Sequence, residues 1–110
     1  MSRLPMSRAA ATLLRALLAR KPEARDRILL TECRSTDWQS LTFVGERHEL
    51  KLRVFGPDAR SIYGAITGDL SEAEFALSGH VLADVAVFGA PSFDADGSIS
   101  FAIEALTIED

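Results

Sequence analysis

The chain has 110 residues, of which 47% are hydrophobic and 25% are charged, and its net charge is −4. This length suits one domain with its own core, and the composition excludes an intrinsically disordered chain. No uncharged apolar run approaches the roughly 20 residues that cross a bilayer. We therefore expect a single domain over residues 1–110 without a transmembrane segment.

Cys33 is the only cysteine, so an internal disulfide or a metal site built from several thiolates is excluded. We expect a reducing, cytoplasmic location and no cofactor. Charge is unevenly distributed, because residues 1–27 carry a net +5 and the rest of the chain a net −9. Such a dipolar chain can attract oppositely charged partners, although solubility alone also accounts for the pattern.

The first predicted element is a helix over residues 5–20, which Pro22 ends. Its apolar residues recur at helical spacing: Met6, Ala10, Leu13, Leu14, Leu17 and Leu18. We expect its leucines to pack on a sheet. Because the helix is rich in arginine and has no acid before Glu23, a targeting peptide or a surface helix on anionic lipid or nucleic acid is the alternative.

Residues 28–33 favour a strand, although Pro22 is equally able to begin a short helix there. A turn at residues 35–37 follows in our interpretation. Gly45 and Glu46 then predict a two-residue hairpin turn, because a type II′ turn needs glycine at its first position. Around this turn the alternation predicts one dry face and one wet face.

The predicted wet face carries Trp38, Arg47, Lys51 and Arg53. Surfaces that stack nucleic-acid bases usually combine several aromatic residues with a basic domain. One tryptophan on an acidic chain instead favours a solvated face on which Trp38 contacts Arg53. We expect no nucleic-acid partner.

A second short helix is predicted after Pro57, with apolar residues at helical spacing up to Leu70 and a terminating Gly68. The clearest strand signal follows, because every second residue from Phe75 to Val87 fits one buried face, with Gly79 as a bend. A turn at Asp96 and Gly97 leads to the last strand, Ile99 to Ile108.

These last two strands predict a C-terminal hairpin over residues 74–108, in which Asp84 faces Glu104. The whole pattern predicts an α+β fold, as a two-layer sandwich. Its mostly antiparallel sheet has four to five strands, two helices cover one face, and the order is α-β-β-β-α-β-β.

Asp84 and Glu104 are candidate catalytic groups, because like charges on neighbouring strands destabilise each other and can raise the pKa of one carboxyl. His80 shares their predicted face but lies about 13 Å from Asp84 along an extended strand at roughly 3.3 Å per residue. A solvated pair of carboxylates is the simpler interpretation. The single thiol of Cys33 is expected to be inert and partly buried.

Asp94 and Asp96 lie in a loop with a superficial likeness to a calcium-binding loop of the EF-hand type. The remaining ligand positions fail, since Ser92 and Ile103 occupy the first and the twelfth. Carboxylates beside a glycine turn more often serve the turn itself, so we expect no metal site.

The second face of the C-terminal hairpin is the strongest functional candidate, because both faces of its strands carry apolar residues. Its predicted members are Leu82, Ala86, Phe88, Ala102, Leu106 and Ile108. We expect a non-enzymatic binding or self-associating domain that uses this face, with a homodimer as the simplest assembly. The alternative hypothesis is a small enzyme or ligand-pocket protein with Asp84 and Glu104 as its acid and base.

Overall fold

The computed structural model describes residues 5–110. Two α-helices, α1 (Arg8–Leu18) and α2 (Ala59–Thr67), pack on one face of a single antiparallel sheet. The sheet has four strands in the order β1-β2-β4-β3. They are β1 (Ile28–Gln39), β2 (Val44–Val54), β3 (His80–Phe93) and β4 (Ile99–Glu109). The predicted α+β class is confirmed, with one strand fewer than the predicted order.

Helix α1 is shorter than the predicted helix over residues 5–20. The side chain of Ser7 caps it, since the Ala10 N–H donates to Ser7 Oγ at 3.1 Å. The helix therefore begins at Arg8, and Leu13 and Leu17 on its apolar face are fully buried. Residues 1–4 of the predicted domain lie outside the described part of the chain.

The region after α1 contains both of the alternatives that its sequence allows. Pro22–Arg27 forms a 3-10 helix, and β1 follows immediately at Ile28. β1 continues through residues 35–37, so the turn predicted there is wrong and two predicted strands are one. Thr and Ser side chains tolerate an extended backbone, which is why this polar stretch stays in the strand.

The turn between β1 and β2 is made by residues 40–43 rather than by Gly45 and Glu46. Ser40 Oγ accepts a hydrogen bond from the Phe43 N–H at 3.0 Å, and the Ser40 N–H donates to the Phe43 carbonyl at 2.8 Å. A serine side chain that bonds to its own turn replaces the expected glycine turn. It sets Gln39 opposite Val44.

The C-terminal hairpin forms, but its first strand begins at His80 rather than near residue 74. Gly79, at φ +79°, lies in a tight turn that pairs Leu77 with His80. Beyond that turn a bulge separates Leu82 from Asp84. A bulge reverses the alternation on its two sides, so the pattern from Phe75 to Val87 is not one continuous strand face.

Arg20 joins the two helices. Its guanidinium donates to the carbonyls of Ile66 at 3.0 Å and Gly68 at 2.7 Å, where α2 ends. The last carbonyls of a helix have no partner within it, and a cation there also opposes the negative end of the helix dipole. Ile62 and Ile66 of α2 are buried with the α1 leucines over the centre of the sheet. Among residues 5–110, no helix combines the length and apolar character needed to cross a membrane.

Gly45 lies where β2 approaches β4 most closely, which explains the glycine without a turn. A Cβ atom there would collide with the main-chain carbonyl of Thr107, whereas one at Gly64 in α2 would meet nothing within 4 Å. We expect Gly45→Ala to lower the free energy of unfolding by about 2 kcal/mol, within the range of overpacked sites. Gly64→Ala should raise it by about 0.5 to 1 kcal/mol.

Urea denaturation of both variants beside the parent protein tests this expectation. A Gly45→Ala protein as stable as its parent would show that the two strands separate at little cost.

Candidate functional site

The sheet has one face beneath the helices and one face that neither α-helix covers, which we call the outer face. Alternate residues of each strand point to it, so the strand pairing shows which of them are neighbours. The inner face contributes the buried core, which includes Leu50, Leu52 and Ile103. The outer face divides into two halves.

The half of the outer face on β3 and β4 is mostly apolar, although the exposed Asp84 lies within it opposite Leu106. Its apolar residues are Val81, Ala86, Phe88, Ala102, Leu106 and Ile108, and we call it the apolar half. Val81 is 52% exposed and Phe88 is 53% exposed. Leu82 is the one predicted member that lies elsewhere, because it pairs with the buried Thr107 and packs against the core. Because of the bulge at Ala83, Val81 lies on the outer face in place of Leu82.

Trp38 extends the apolar half to the far edge of the sheet. It pairs with Gly45, which pairs with Ile108, which in turn pairs with Val81. An apolar row thus crosses all four strands at this end. The predicted contact of Trp38 with Arg53 is wrong, because Arg53 pairs with Leu29 at the opposite end.

The remainder of the outer face carries charges of both signs. It consists of Glu32, Arg34, Arg47, Glu49 and Lys51 on β1 and β2, together with Glu104 on β4, and we call it the charged half. Arg34 lies opposite Glu49, and Glu32 lies opposite Lys51 with 3.4 Å between Oε2 and Nζ. The signs therefore alternate both along each of these strands and between them.

An acidic residue lies directly opposite Glu104, but it is not Asp84, which is only a diagonal neighbour. Asp84 pairs with Leu106, and Glu104 pairs with Ala86 on one side and Glu49 on the other. The predicted Asp84–Glu104 pair is wrong because the register of the C-terminal hairpin differs by two residues. The expected repulsion between like charges exists at Glu49 and Glu104 instead.

His80 is separated from both carboxylates. It precedes the inward Leu82 by two positions, so it lies on the face opposite Asp84. Its Nδ1 is 3.2 Å from the Ser78 carbonyl. His80 lines an open cleft of about 760 Å³ beside the start of α1, whose charged walls are Arg8, Arg15, Glu46, Glu109 and Asp110. Both signs of charge line this cleft, which therefore favours neither anions nor cations.

Asp94 and Asp96 stabilise the turn between β3 and β4. The Ser98 N–H donates to Asp96 Oδ1 at 2.9 Å, and Arg53 Nη2 donates to Asp96 Oδ2 at 2.9 Å. Hydrogen bonds from Ser98 and the charge of Arg53 lower the pKa of Asp96. In the described part of the chain, no three His, Cys, Asp or Glu side chains are grouped to hold a metal ion.

A buried histidine links three strands, and the sequence interpretation missed it. His48 is 1% exposed, with Nδ1 2.7 Å from Ser35 Oγ and Nε2 2.8 Å from Thr107 Oγ1. A neutral imidazole donates from one nitrogen and accepts at the other, so one hydroxyl donates to it and the other accepts. Burial lowers the pKa of His48, although the charge of Glu46 opposes this effect.

Cys33 pairs with Leu50 on the inner side of β1 and is partly buried. Burial raises the pKa of its thiol, which keeps it protonated at neutral pH. Both ring nitrogens of His48 bind hydroxyls, so this imidazole has no free nitrogen for the thiol. The geometry supports the expectation of an inert cysteine.

In comparisons with known proteins, the chain matches no family model, no curated protein and no solved structure. The function is therefore inferred from the geometry of this chain.

The neutral state of His48 predicts a pH-dependent stability. Because the pKa of His48 is lowered in the folded protein, the unfolded chain binds its proton at higher pH than the folded protein does. The free energy of unfolding should fall as the pH drops below about 6.5, by up to about 1.4 kcal/mol per pH unit until the folded pKa is reached. Urea denaturation between pH 5 and 8 measures this slope.

His48→Gln should remove the slope, whereas His80→Gln, which leaves His48 in place, should keep it. Equal slopes in the parent and in His48→Gln would assign the effect to other groups.

Proposed function

We propose that this chain is a small non-enzymatic domain that associates with a second copy of itself through the outer face of its sheet. One observation carries the proposal: both helices pack on the same face, while the other face exposes apolar residues that surround Asp84 and reach Trp38. Contiguous exposed apolar surface of this kind usually marks a contact site.

The size of the outer face fits a dimer. Four strands spaced about 4.8 Å apart and about 36 Å long give a face of roughly 700 Å². Each partner in an interface of standard size contributes about 800 Å². Two such faces packed about 10 Å apart would form a β-sandwich, in which the same residues of both copies meet around a two-fold axis.

The edges of the sheet favour association through the face rather than through added strands. β1 has a bulge between Leu30 and Glu32, and β3 has irregularities after Leu82 and Phe88. Pro91, which has no N–H to donate, lies in the second irregular stretch of β3. Bulges and prolines on edge strands hinder pairing with another chain.

The enzymatic alternative has less support from the geometry. It requires Asp84 and Glu104 to act together, and they lie on adjacent rungs of the outer face as diagonal neighbours rather than directly opposite each other. A general acid and a general base must both reach the same reacting group. A cytoplasmic location belongs to the main proposal, in keeping with the single thiol at Cys33.

A charge in the apolar half should prevent association. Leu106 lies at the centre of this half, between Arg47 and Asp84, so Leu106→Lys would replace an apolar contact with a cation that the interface must remove from water. We expect the parent protein to elute with twice the chain mass of 12.0 kDa at tens of micromolar. Leu106→Lys should elute as a monomer. Size-exclusion chromatography with light scattering measures both masses.

Leu41→Lys is the matched control, because Leu41 is fully exposed in the turn between β1 and β2 and outside the outer face. It should dimerise like the parent. A parent protein that stays monomeric at this concentration would refute self-association.

Trp38 offers an independent readout of the same contact, since it is the only tryptophan in the chain. Covering it with a second sheet would remove water from the indole ring. We expect its fluorescence maximum to move to shorter wavelength as the protein concentration rises, with the midpoint found by light scattering. The Leu106→Lys protein should show no such movement, and a shift in that variant would point to a different environment for the ring.

A further inference from the structure

We infer that the charged half of the outer face determines which partner is accepted. Arg34 and Arg47 of one copy neutralise Glu49 and Glu104 of the other. This inference rests on the proposed self-association and names the contacts that make it specific.

The area of the apolar half determines whether it is able to form a stable dimer alone. The apolar half occupies two of the four strands, or roughly 350 Å² of the roughly 700 Å² that the strand spacing gives the whole face. An interface of standard size needs about 800 Å² from each partner. Apolar contact alone is therefore too small for a stable dimer, and a contact of sufficient area must also cover the charged half.

Some charged groups of the outer face form ion pairs within one copy, and others do not. Lys51 is paired with Glu32 at 3.4 Å, and Arg53 is paired with Asp96 at 2.9 Å. Five other charged groups on the outer face have no ion pair within 4 Å among residues 5–110: Arg34, Arg47, Glu49, Asp84 and Glu104. Two positive and three negative charges thus remain available on the same surface.

Covering these charged groups with a partner costs free energy. Glu49 and Glu104 are direct neighbours on β2 and β4, so they repel each other in the single chain. Removing an unpaired charge from water is unfavourable, and burial is tolerated only where an opposite charge is supplied. A partner must therefore bring positive charge to the two glutamates and negative charge to the two arginines.

A second copy of this chain meets that requirement. In a two-fold contact the same patch is used on both sides, so a patch that carries charges of both signs is able to complement itself. An apolar surface of another protein lacks these charges and would leave the charged groups unpaired. Discrimination against wrong partners by unpaired or repelling charges is a common source of interface specificity.

The test is a charge-swapped pair of variants. Arg34→Glu/Arg47→Glu makes all four of positions 34, 47, 49 and 104 acidic, and Glu49→Lys/Glu104→Lys makes all four basic. Each variant alone should bind itself at least about a hundredfold more weakly than the parent, since repulsion across an interface costs several kcal/mol. An equimolar mixture should form a heterodimer with an affinity close to that of the parent. Sedimentation equilibrium of each variant and of the mixture measures these constants.

Two control variants change the net charge equally at exposed positions outside the outer face. They are Arg15→Glu/Arg25→Glu and Glu72→Lys/Glu74→Lys. Both should dimerise like the parent. Thermal unfolding of every variant separates loss of binding from loss of the fold.

The outcomes separate this inference from the proposed function. If the parent dimerises and the charge-swapped variants dimerise equally well alone, the charged half lies outside the interface and only this inference fails. The same holds if both variants are monomeric and folded but their mixture does not associate. A monomeric parent overturns the proposed function together with the inference.

Discussion

Two short helices are able to cover only one face of a four-stranded sheet, and the rest of the molecule follows from this limit. At 1.5 Å per residue, the 11 residues of α1 and the 9 of α2 span about 16 and 14 Å. They bury the centre of the inner face, so a single layer of apolar residues from the sheet suffices for the core. The outer face is therefore not part of the core, and core packing does not determine its residues.

Alternation in the sequence predicts which face a residue occupies wherever a strand is regular. In β4 every odd position from Ile99 to Thr107 is buried, as the period of two requires. Register is harder to predict, because it depends on the turns and on single inserted residues. Ser40 closes the first hairpin with its side chain, while Gly45 serves the close approach to Thr107, so the glycine signal indicated a turn four residues too late.

The regularity of the strands also determined which parts of the candidate site were predictable. The apolar half follows from the even positions of β4 and from β3 between Asp84 and Phe88, where no bulge intervenes. Leu82 was placed on the wrong face because the bulge at Ala83 leaves no mark in composition, and the partner of Asp84 was wrong because the irregular stretch between Phe88 and Ser92 alters the register. The rung that joins Trp38 to Val81 depends on the register of three strand pairs at once, and the contacts of His48 do so too. The local alternation of apolar and polar residues does not predict such long-range pairings.

If the chain associates as proposed, the two neighbouring glutamates link the stability of one copy to its association. A direct Glu49–Glu104 neighbour pair makes the single chain less stable than a neutral pair would. Natural proteins commonly accept such a loss where it discriminates between partners. If a second copy supplies the opposing arginines, the repulsion is relieved only in the dimer, and binding then stabilises the fold by mass action. The irregular edges of β1 and β3 oppose the competing assembly, in which sheets would join edge to edge. The apolar half would then supply most of the attraction, and the charged half would select the partner and its orientation.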